Sequence, residues 1–423
     1  MKTQELVLYR NLKYQKLFEA MEGLLSGAEE AGETAYACAN QLIELAVTYG
    51  FEGNLYHCFL AFCLANHENA YSTSCEILGP AEGSLFLLAQ HDFEIFKKLY
   101  DYDIRILDGK AEDGIWSLIA DYRAAKENSR VFNKRIRDRI VELAVSLERA
   151  QTTAEFQGDV TQFYKEFGVG KFGLNKAFRI LEKDEQAYME PITSIEHVYL
   201  KDLVGYEIQK KKLIDNTEAF VEGREANNVL LYGDAGTGKS SSIKAILNQY
   251  YDRGLRIIEV YKHQFKALSD VLEQVKDRNY KFIIYMDDLS FEESELEYKY
   301  LKAIIEGGLG KKPKNVLIYA TSNRRHLIRE SFGDKKQLSD DDIHANDTVQ
   351  EKLSLVARFG VTIYYGAPEP KEFKTIVKAL AERNGITMPE EELLLKANQW
   401  ELSHGGLSGR TASQFITSLL SRS

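Results

Sequence analysis

Eight consecutive residues, Gly233–Ser240, constrain this chain more than any other part of its sequence. They read Gly-Asp-Ala-Gly-Thr-Gly-Lys-Ser, which matches the phosphate-loop pattern G-x-x-x-x-G-K-[ST]. The glycines let consecutive backbone N–H groups curve around phosphate oxygens, Lys239 supplies positive charge, and the Ser240 hydroxyl can join a Mg²⁺ shell. An apolar run precedes the loop and a helix is predicted from Lys239 to Tyr250, so the positive end of that helix would face the anion. The residues expected to contact the phosphates are Gly233, Asp234, Ala235, Gly236, Thr237, Gly238, Lys239, Ser240 and Ser241.

An acidic pair follows a second apolar run. Residues Phe282–Asp288 read Phe-Ile-Ile-Tyr-Met-Asp-Asp, and a phosphate loop needs an acid at the end of a neighbouring strand to hold Mg²⁺. We therefore expect Asp287 to bind Mg²⁺ together with Ser240, and Asp288 to polarise the attacking water. The alternative is that the two acids cap the helix that follows a buried strand.

Three further polar residues are candidates for catalysis beside Asp288. Asn323 follows the apolar run 316–320, at the expected carboxyl edge of the sheet, where ligands bind in folds of this kind. An amide there can hold the attacking water, although an asparagine after a strand is also a common turn residue. Arg358 and Arg410 can neutralise charge that develops on the γ-phosphate, or can serve as surface ion-pair partners.

The pattern along the chain predicts three parts. Residues 1–195 have helical periodicity, with Ile136, Ile140 and Leu143 on one face of a predicted amphipathic helix. Residues 196–367 alternate β-branched or aromatic runs with helical segments, as in a parallel sheet covered on both faces. Residues 368–423 are again helical. The predicted fold is an α/β P-loop core with a five-stranded parallel sheet, an all-α N-terminal domain of unknown role and a small C-terminal helical lid.

Residues from about 196 to 420 resemble the AAA+ ATPases. In the terms of that superfamily the matching features are Walker A at 233–240, Walker B at 282–288, sensor 1 at Asn323, an arginine finger at Arg358 and sensor 2 at Arg410. The resemblance implies that ATP and Mg²⁺ are the cofactors and that the backbone at Val204 and Gly205 holds adenine. More narrowly, the chain is similar to a bacterial family of predicted AAA+ ATPases that carries only a domain-of-unknown-function label. The similar stretches are 227–231, 287–292, 320–327 and 408–410.

The chain departs from most AAA+ enzymes at the second Walker B acid, which is Asp288 rather than glutamate. The narrower family shares the Asp-Asp pair, so the shorter side chain does not by itself mean inactivity. Glu292 is an alternative residue for activating the water. Ala357 stands where the family commonly has an acid before the Arg-Phe pair.

The resemblance implies an enzyme that hydrolyses ATP to ADP and phosphate. AAA+ subunits commonly form rings in which one subunit's arginine finger completes its neighbour's site, and a change in the angle between core and lid would be passed to residues 1–195. The expected activity is to remodel or load a macromolecular partner. The alternative is a nucleotide-dependent binding switch, a loader or adaptor with little or no turnover, which Asp288 in place of glutamate favours. A small-molecule kinase is a third interpretation, and Asn323 with the Arg-Phe-Gly segment argues against it.

Charge and composition bear on the partners. The net charge of −10 over 423 residues, most of it from residues 1–195, does not favour a nucleic-acid partner. Local basic clusters at 210–212, 311–314 and 324–325 leave DNA contact open. The expected partners are therefore ATP or ADP, further copies of the chain in a homo-oligomer, and an unidentified protein client.

No membrane association is expected, because no apolar run reaches about 18 residues and the start of the chain lacks a signal-peptide pattern. These features predict a cytoplasmic protein. Its four cysteines, Cys38, Cys58, Cys63 and Cys75, lack the paired spacing of structural zinc sites and are expected to be small buried thiols.

Overall fold

The structure is a computed structural model of the chain. It describes residues 3–28, 32–111, 114–123, 134–183, 186–193, 195–196, 198–291, 295, 297–306, 313–323, 327 and 355–421. The chain divides into two compact units, Met1–Asn175 and Lys176–Ser423. None of the helices among these residues is both long enough and apolar enough to cross a lipid bilayer.

The first unit is helical, as predicted. Its α-helices are α1 (Gln15–Ser26), α2 (Glu33–Tyr49), α3 (Leu55–Asn66), α4 (Ala70–Leu78), α5 (Gly83–Tyr100), α6 (Asp108–Ala111), α7 (Ile115–Ala120), α8 (Lys134–Arg149), α9 (Thr153–Phe167) and α10 (Gly170–Leu174). Helix α3 lies at the centre, and every side chain from Leu55 to Ala65 is buried. Because such a helix is apolar on all sides, it needs neighbours all round, which the other helices supply. All four cysteines are buried free thiols, as expected.

The second unit contains one seven-stranded sheet. Its strands are β1 (Ala177–Lys183), β2 (Gln186–Pro191), β3 (Val229–Gly233), β4 (Leu255–Glu259), β5 (Lys281–Met286), β6 (Val316–Ser322) and β7 (Val361–Tyr365), in the spatial order β2-β1-β4-β5-β6-β3-β7. All neighbours are parallel except β1 and β2, which form an antiparallel hairpin at one edge. The phosphate-loop strand β3 lies between β6 and β7.

The prediction of five parallel strands was wrong in number. The five predicted runs are β3 to β7, and the hairpin β1–β2 extends the sheet because Ala177–Arg179 pairs with β4. The hairpin lies before residue 195, so residues 177–191 belong to the sheet rather than to the helical front part. Charged residues interrupt the apolar residues of both strands along the sequence, although Phe178, Ile180 and Met189 are buried.

The remaining helices of this unit cover the sheet and form the lid. They are α11 (Glu207–Val221), α12 (Lys239–Tyr250), α13 (Leu268–Val275), α14 (Glu297–Glu306), α15 (Pro370–Arg383), α16 (Glu390–Ser403) and α17 (Gly409–Leu420). Helices α11 and α12 pack on one face of the sheet. The last three helices share a separate apolar core that includes Phe373, Val377 and Phe415.

Candidate functional site

The phosphate loop turns sharply between β3 and α12. Gly233 has a φ of 133°, and a Cβ built there would lie 2.1 Å from the Tyr365 carbonyl oxygen, so no other residue fits without moving β7. Gly238 precedes α12 with a φ of 93°, in the left-handed region that glycine adopts without strain. The loop therefore opens its backbone at the N-terminus of α12, the arrangement that binds anions.

Lys239 is folded into this loop. Its side chain is 6% exposed, and Nζ donates hydrogen bonds to the carbonyl oxygens of Gly233 (3.0 Å) and Asp234 (2.7 Å) and to Oδ1 of Asn323 (3.0 Å). Burial lowers the pKa of Lys239, and the nearby carboxylates of Asp234, Asp288 and Asp287 act in the opposite direction. The ammonium thus contacts Asn323, the residue whose amide is expected to hold the attacking water.

Asp287 and Ser240, the two residues expected to bind Mg²⁺, meet at the carboxyl end of β5. Ser240 Oγ donates to Asp287 Oδ1 at 2.7 Å, and Thr321 Oγ1 donates to the same oxygen at 2.6 Å. Burial on its own would raise the pKa of Asp287, but hydroxyl hydrogen bonds outweigh it and lower the pKa. An ionised carboxylate beside a hydroxyl is a hard-oxygen donor set, which fits Mg²⁺.

Asp288 points into the same edge of the sheet from an unusual backbone conformation. Its φ is 49°, a left-handed value that aspartate tolerates better than glutamate does. Thr321 Oγ1 accepts a hydrogen bond from the Asp288 N–H at 2.9 Å, and Asn323 Nδ2 donates to Asp288 Oδ1 at 2.7 Å. The left-handed backbone at Asp288 and these two hydrogen bonds together orient its carboxylate. This conformation favours aspartate at a position where most AAA+ enzymes have glutamate.

A cleft of about 820 Å³ brings these groups together with the lid. Arg410, in the first turn of α17, lines it, and the Arg410 N–H donates to the Gly236 carbonyl oxygen at 3.2 Å. A Cβ on Gly236 would lie 3.0 Å from both Arg410 Cβ and Ser408 Oγ, so the lid abuts the phosphate loop. Among the described residues, none pairs with the Arg410 guanidinium, which leaves it available to an anion in the cleft.

The other end of the cleft is partly apolar. Val204, which is expected to hold adenine, lines it, and Gly205 follows with a φ of 80° but is outside the lining. The further lining residues at this end are Asp202, Leu203, Tyr206, Lys210, Ile376 and Leu380. A flat, apolar base could be held there between the segment before α11 and the lid helix α15.

Arg358 is the one candidate catalytic residue that the structure does not bring to this cleft. It precedes β7, whereas Gly233 pairs with Tyr365 at the opposite end of that strand. A five-residue strand spans roughly 15 Å, more than an arginine side chain can reach. Arg358 therefore lies at the amino edge of the sheet and cannot serve its own chain's phosphate loop.

Sequence reasoning missed several residues that shape the site. Thr321 bonds both acids. The Asp234 carboxylate accepts a hydrogen bond from the Ala367 N–H at 2.7 Å, which ties the phosphate loop to the connection between β7 and the lid. Tyr206 donates to the Gly366 carbonyl oxygen at 2.8 Å and stacks on Tyr365. Thr321, near the end of β6 and two residues before Asn323, could have been found from its place in the sequence. The contacts of Asp234 and Tyr206 could not, because they join segments that are far apart in the chain.

The basic clusters differ in exposure within the described residues: Lys211, Lys212 and Lys314 are exposed, whereas Lys210 is buried. Lys210 is 8% exposed and its Nζ donates to the Leu203 carbonyl oxygen (2.8 Å) and to Glu207 (2.7 Å), so it belongs to the cleft wall. Lys311, Lys312, Arg324, Arg325 and the alternative acid Glu292 lie outside the described residues.

Replacing Arg410 with alanine is expected to weaken ATP binding by roughly 10- to 100-fold, the effect of removing one charged hydrogen bond. The expected measurement is calorimetric titration with ATP and Mg²⁺. Because the guanidinium has no partner among the described residues, the melting temperature should stay unchanged. Lys396→Ala on α16, which removes an exposed ion pair with Glu392, is the matched control. Unchanged affinity in Arg410→Ala would contradict a role for this residue in the cleft.

One family profile, described as a protein of unknown function (DUF815), matches residues 174–423. The match covers the whole sheet, the phosphate loop and the lid. It confirms the resemblance to a domain-of-unknown-function family drawn from the motifs.

Similar proteins of known identity match shorter parts of the chain. The replication factor C large subunit of Staphylothermus marinus is 34% identical over 73 residues, which are 17% of this chain and 16% of that protein. Among solved structures, the RuvB Holliday junction branch migration motor of Thermotoga maritima has a TM-score of 0.35 at 17% identity, covering 53% of this chain and 64% of that one. PCH-2 of C. elegans has a TM-score of 0.37 at 18% identity, covering 53% and 65%. The AAA domain of FIGL-1 in complex with ADP has a TM-score of 0.36 at 17% identity, covering 53% and 73%.

The chain thus spans about a sixth of the length of the replication factor subunit and less than two thirds of RuvB. With every TM-score below 0.5, the assignment of residues rests on this chain's own geometry.

Proposed function

The chain belongs to the DUF815 family, and from its site we propose that this member is an AAA+ ATPase that binds ATP with Mg²⁺ and hydrolyses it to ADP and phosphate. The proposal extends to a motion of the lid that acts on a macromolecular partner. Residues 196–367 would form the ATP-binding core and 368–423 the lid, with the helical front part recruiting the partner.

One observation carries the proposal. Lys239, Asn323 and Asp288 form a continuous hydrogen-bonded chain across three neighbouring strands and the phosphate loop, next to the Ser240–Asp287 pair. A cation for phosphates, a hydroxyl–carboxylate pair for Mg²⁺, and an acid with an amide for water thus line the same cleft. Capping of a helix by the two acids explains none of these cross-strand contacts.

The residues suggest a division of labour in the reaction. Ser240 and Asp287 would hold Mg²⁺, which supplies charge neutralisation to the β- and γ-phosphate oxygens when bound. Asn323 and Asp288 would orient a water toward the γ-phosphorus. The new P–O bond forms from that water as the bond to the β–γ bridging oxygen breaks, ADP leaves, and the water's proton passes to the Asp288 carboxylate or to the phosphate.

The test of hydrolysis is Asp288→Asn. The amide keeps the left-handed backbone conformation and can still bond Asn323, but it cannot accept a proton. We expect turnover to fall roughly 100-fold or more while ATP affinity changes by less than about threefold. Phosphate release and calorimetric binding of ATP measure the two effects.

Asp215→Asn is the matched control, because Asp215 is an exposed acid on α11 that pairs with Lys211 at 2.9 Å. Its turnover should equal that of the unmodified protein. Turnover that persists in Asp288→Asn would remove Asp288 from the mechanism.

A nucleotide-dependent binding switch is the second candidate. The observation that favours it is the internal hydrogen bond from Asn323 to Asp288, which occupies an oxygen that a base would offer to water. Tight ATP binding without phosphate release, even under single-turnover conditions with excess protein, would select this function.

Oligomerisation follows from the position of Arg358 in this proposal. Because Arg358 is at the sheet edge opposite the cleft, it would act on the cleft of another copy, as arginine fingers do in AAA+ rings. Sedimentation with and without ATP tests whether copies assemble.

A further inference from the structure

Tyr285 is a buried tyrosine whose hydroxyl lies near Asp287 but makes no hydrogen bond of ordinary length and angle among the described residues. It lies in the middle of the sheet on β5, and its side chain is 5% exposed. A buried polar atom without a partner costs stability, so native proteins seldom keep one without a reason. Phenylalanine would fill the same space without that cost.

The hydroxyl lies next to the proposed Mg²⁺ site. Tyr285 precedes Asp287 by two positions, and side chains two apart in a strand leave the sheet on the same face. Burial raises the pKa of Tyr285, and the negative charge of Asp287 raises it further. The groups that interact with this hydroxyl are the Asp287 carboxylate and the hydroxyls of Ser240 and Thr321.

Two other tyrosines on this face provide a comparison. Tyr319 is the cross-strand neighbour of Tyr285 on β6, and its hydroxyl is bonded by Asn216 Nδ2 (3.0 Å) and Thr217 Oγ1 (2.9 Å). Tyr365 on β7 donates to Ser242 Oγ at 3.0 Å. Both are buried in the same apolar cluster as Tyr285. The fold thus provides partners for buried tyrosine hydroxyls here, and the one beside Asp287 is the exception.

The Asp287 carboxylate has room for one more donor. Both of the side-chain hydrogen bonds that it accepts, from Ser240 and Thr321, end on Oδ1. A carboxylate rotates easily about its last torsion angle, and coordination of a cation by one oxygen would favour such a rotation. The rotation would bring a carboxylate oxygen toward the Tyr285 hydroxyl.

We propose that Tyr285 is a positioning residue for Mg²⁺, whose hydroxyl donates a hydrogen bond to the Asp287 carboxylate when the metal and nucleotide are bound. The bond would fix the orientation of the carboxylate and stabilise its ionised form, as outer-shell donors do for metal ligands. This inference rests on the proposed function, because it assumes that Ser240 and Asp287 hold the metal.

The experiment compares Tyr285→Phe with the unmodified protein and with Tyr319→Phe. Calorimetry measures ATP binding while MgCl₂ is titrated, and again in EDTA, so that no turnover is needed. In Tyr285→Phe we expect the Mg²⁺ concentration for half-maximal binding to rise roughly tenfold, with ATP affinity in EDTA unchanged. The melting temperature without nucleotide should stay equal or rise, because an unpartnered hydroxyl is removed.

Tyr319→Phe should give the opposite pattern. It breaks satisfied hydrogen bonds, so its melting temperature should fall while its Mg²⁺ dependence matches that of the unmodified protein. A purely structural role for Tyr285 would change the melting temperature only.

The outcomes separate this inference from the proposed function. If the unmodified protein binds Mg²⁺ and ATP and Tyr285→Phe has the same Mg²⁺ dependence, the role of Tyr285 is wrong and the proposed function stands. If the unmodified protein binds no ATP with or without Mg²⁺, the proposed function fails and this inference fails with it.

Discussion

Replacing Lys239 with alanine is expected to lower ATP turnover by roughly 100-fold or more, the scale for removing a cation that contacts charge in the transition state. Lys239 is 6% exposed, and its ammonium lies between the phosphate loop and Asn323. The other basic residues among the described cleft lining are Lys210, which is bonded to Leu203 and Glu207, and Arg410, which belongs to the lid helix α17. Phosphate release at saturating ATP is the measurement, with calorimetric ATP binding as a second readout.

Lys244→Ala is the control for this change. Lys244 lies one turn later on α12, where it is exposed and pairs with Glu196 at 3.0 Å. Its removal should leave turnover unchanged. Because Lys239 also bonds two loop carbonyls, the melting temperature of Lys239→Ala must be compared as well. Undiminished turnover in a folded Lys239→Ala would exclude the phosphate loop as the site of reaction.

Replacing Asp92 with alanine is expected to destabilise the first unit by about 3 kcal/mol, since buried N–H groups lose a charged acceptor. Asp92 on α5 is fully buried, and its carboxylate accepts hydrogen bonds from the backbone N–H groups of Val7 (2.9 Å), Leu8 (2.7 Å) and Tyr9 (3.0 Å). These bonds fasten the start of the chain to the helical core. For a unit of this size, the loss corresponds to roughly 6–12 °C in melting temperature, measured by circular dichroism.

Glu94→Ala gives the matched control, because Glu94 is an exposed acid two positions later on the same helix. Its melting temperature should change by less than about 2 °C. Equal melting temperatures for the Asp92 and Glu94 variants would mean that the buried carboxylate contributes no net stability.

Much of the site was predictable because its motifs are local. The phosphate loop needs only eight neighbouring residues, and Asp287 and Asn323 follow apolar strands whose carboxyl ends must meet at one edge. The hairpin β1–β2 was missed because charged residues interrupt its apolar residues along the sequence, although one face of the hairpin is buried. The bond between Asp234 and Ala367 joins residues far apart in sequence, and no local pattern indicates it.

The two arginines illustrate the same limit. Arg358 is close to β7 in sequence, and the direction of that strand puts it at the sheet edge opposite its own chain's cleft. Arg410 is far from the phosphate loop in sequence, yet the lid brings it to Gly236. Whether Arg358 or Arg410 lies in the cleft depends on the direction of β7 and on the packing of the lid. The short sequences around the two arginines indicate neither.

Two contacts connect the phosphate loop to the segment that leads into helix α15. They are the hydrogen bond between Asp234 and Ala367 and the close packing of Gly233 against Tyr365. A change in the loop that alters these two contacts would also shift the start of helix α15, which begins three residues after Ala367. Since α15 is 14 residues long, or about 21 Å, a tilt of about 10° moves its far end by about 4 Å. A small shift in the phosphate loop would thus become a displacement of several ångströms at the far end of α15, which is large enough to change a contact with another molecule.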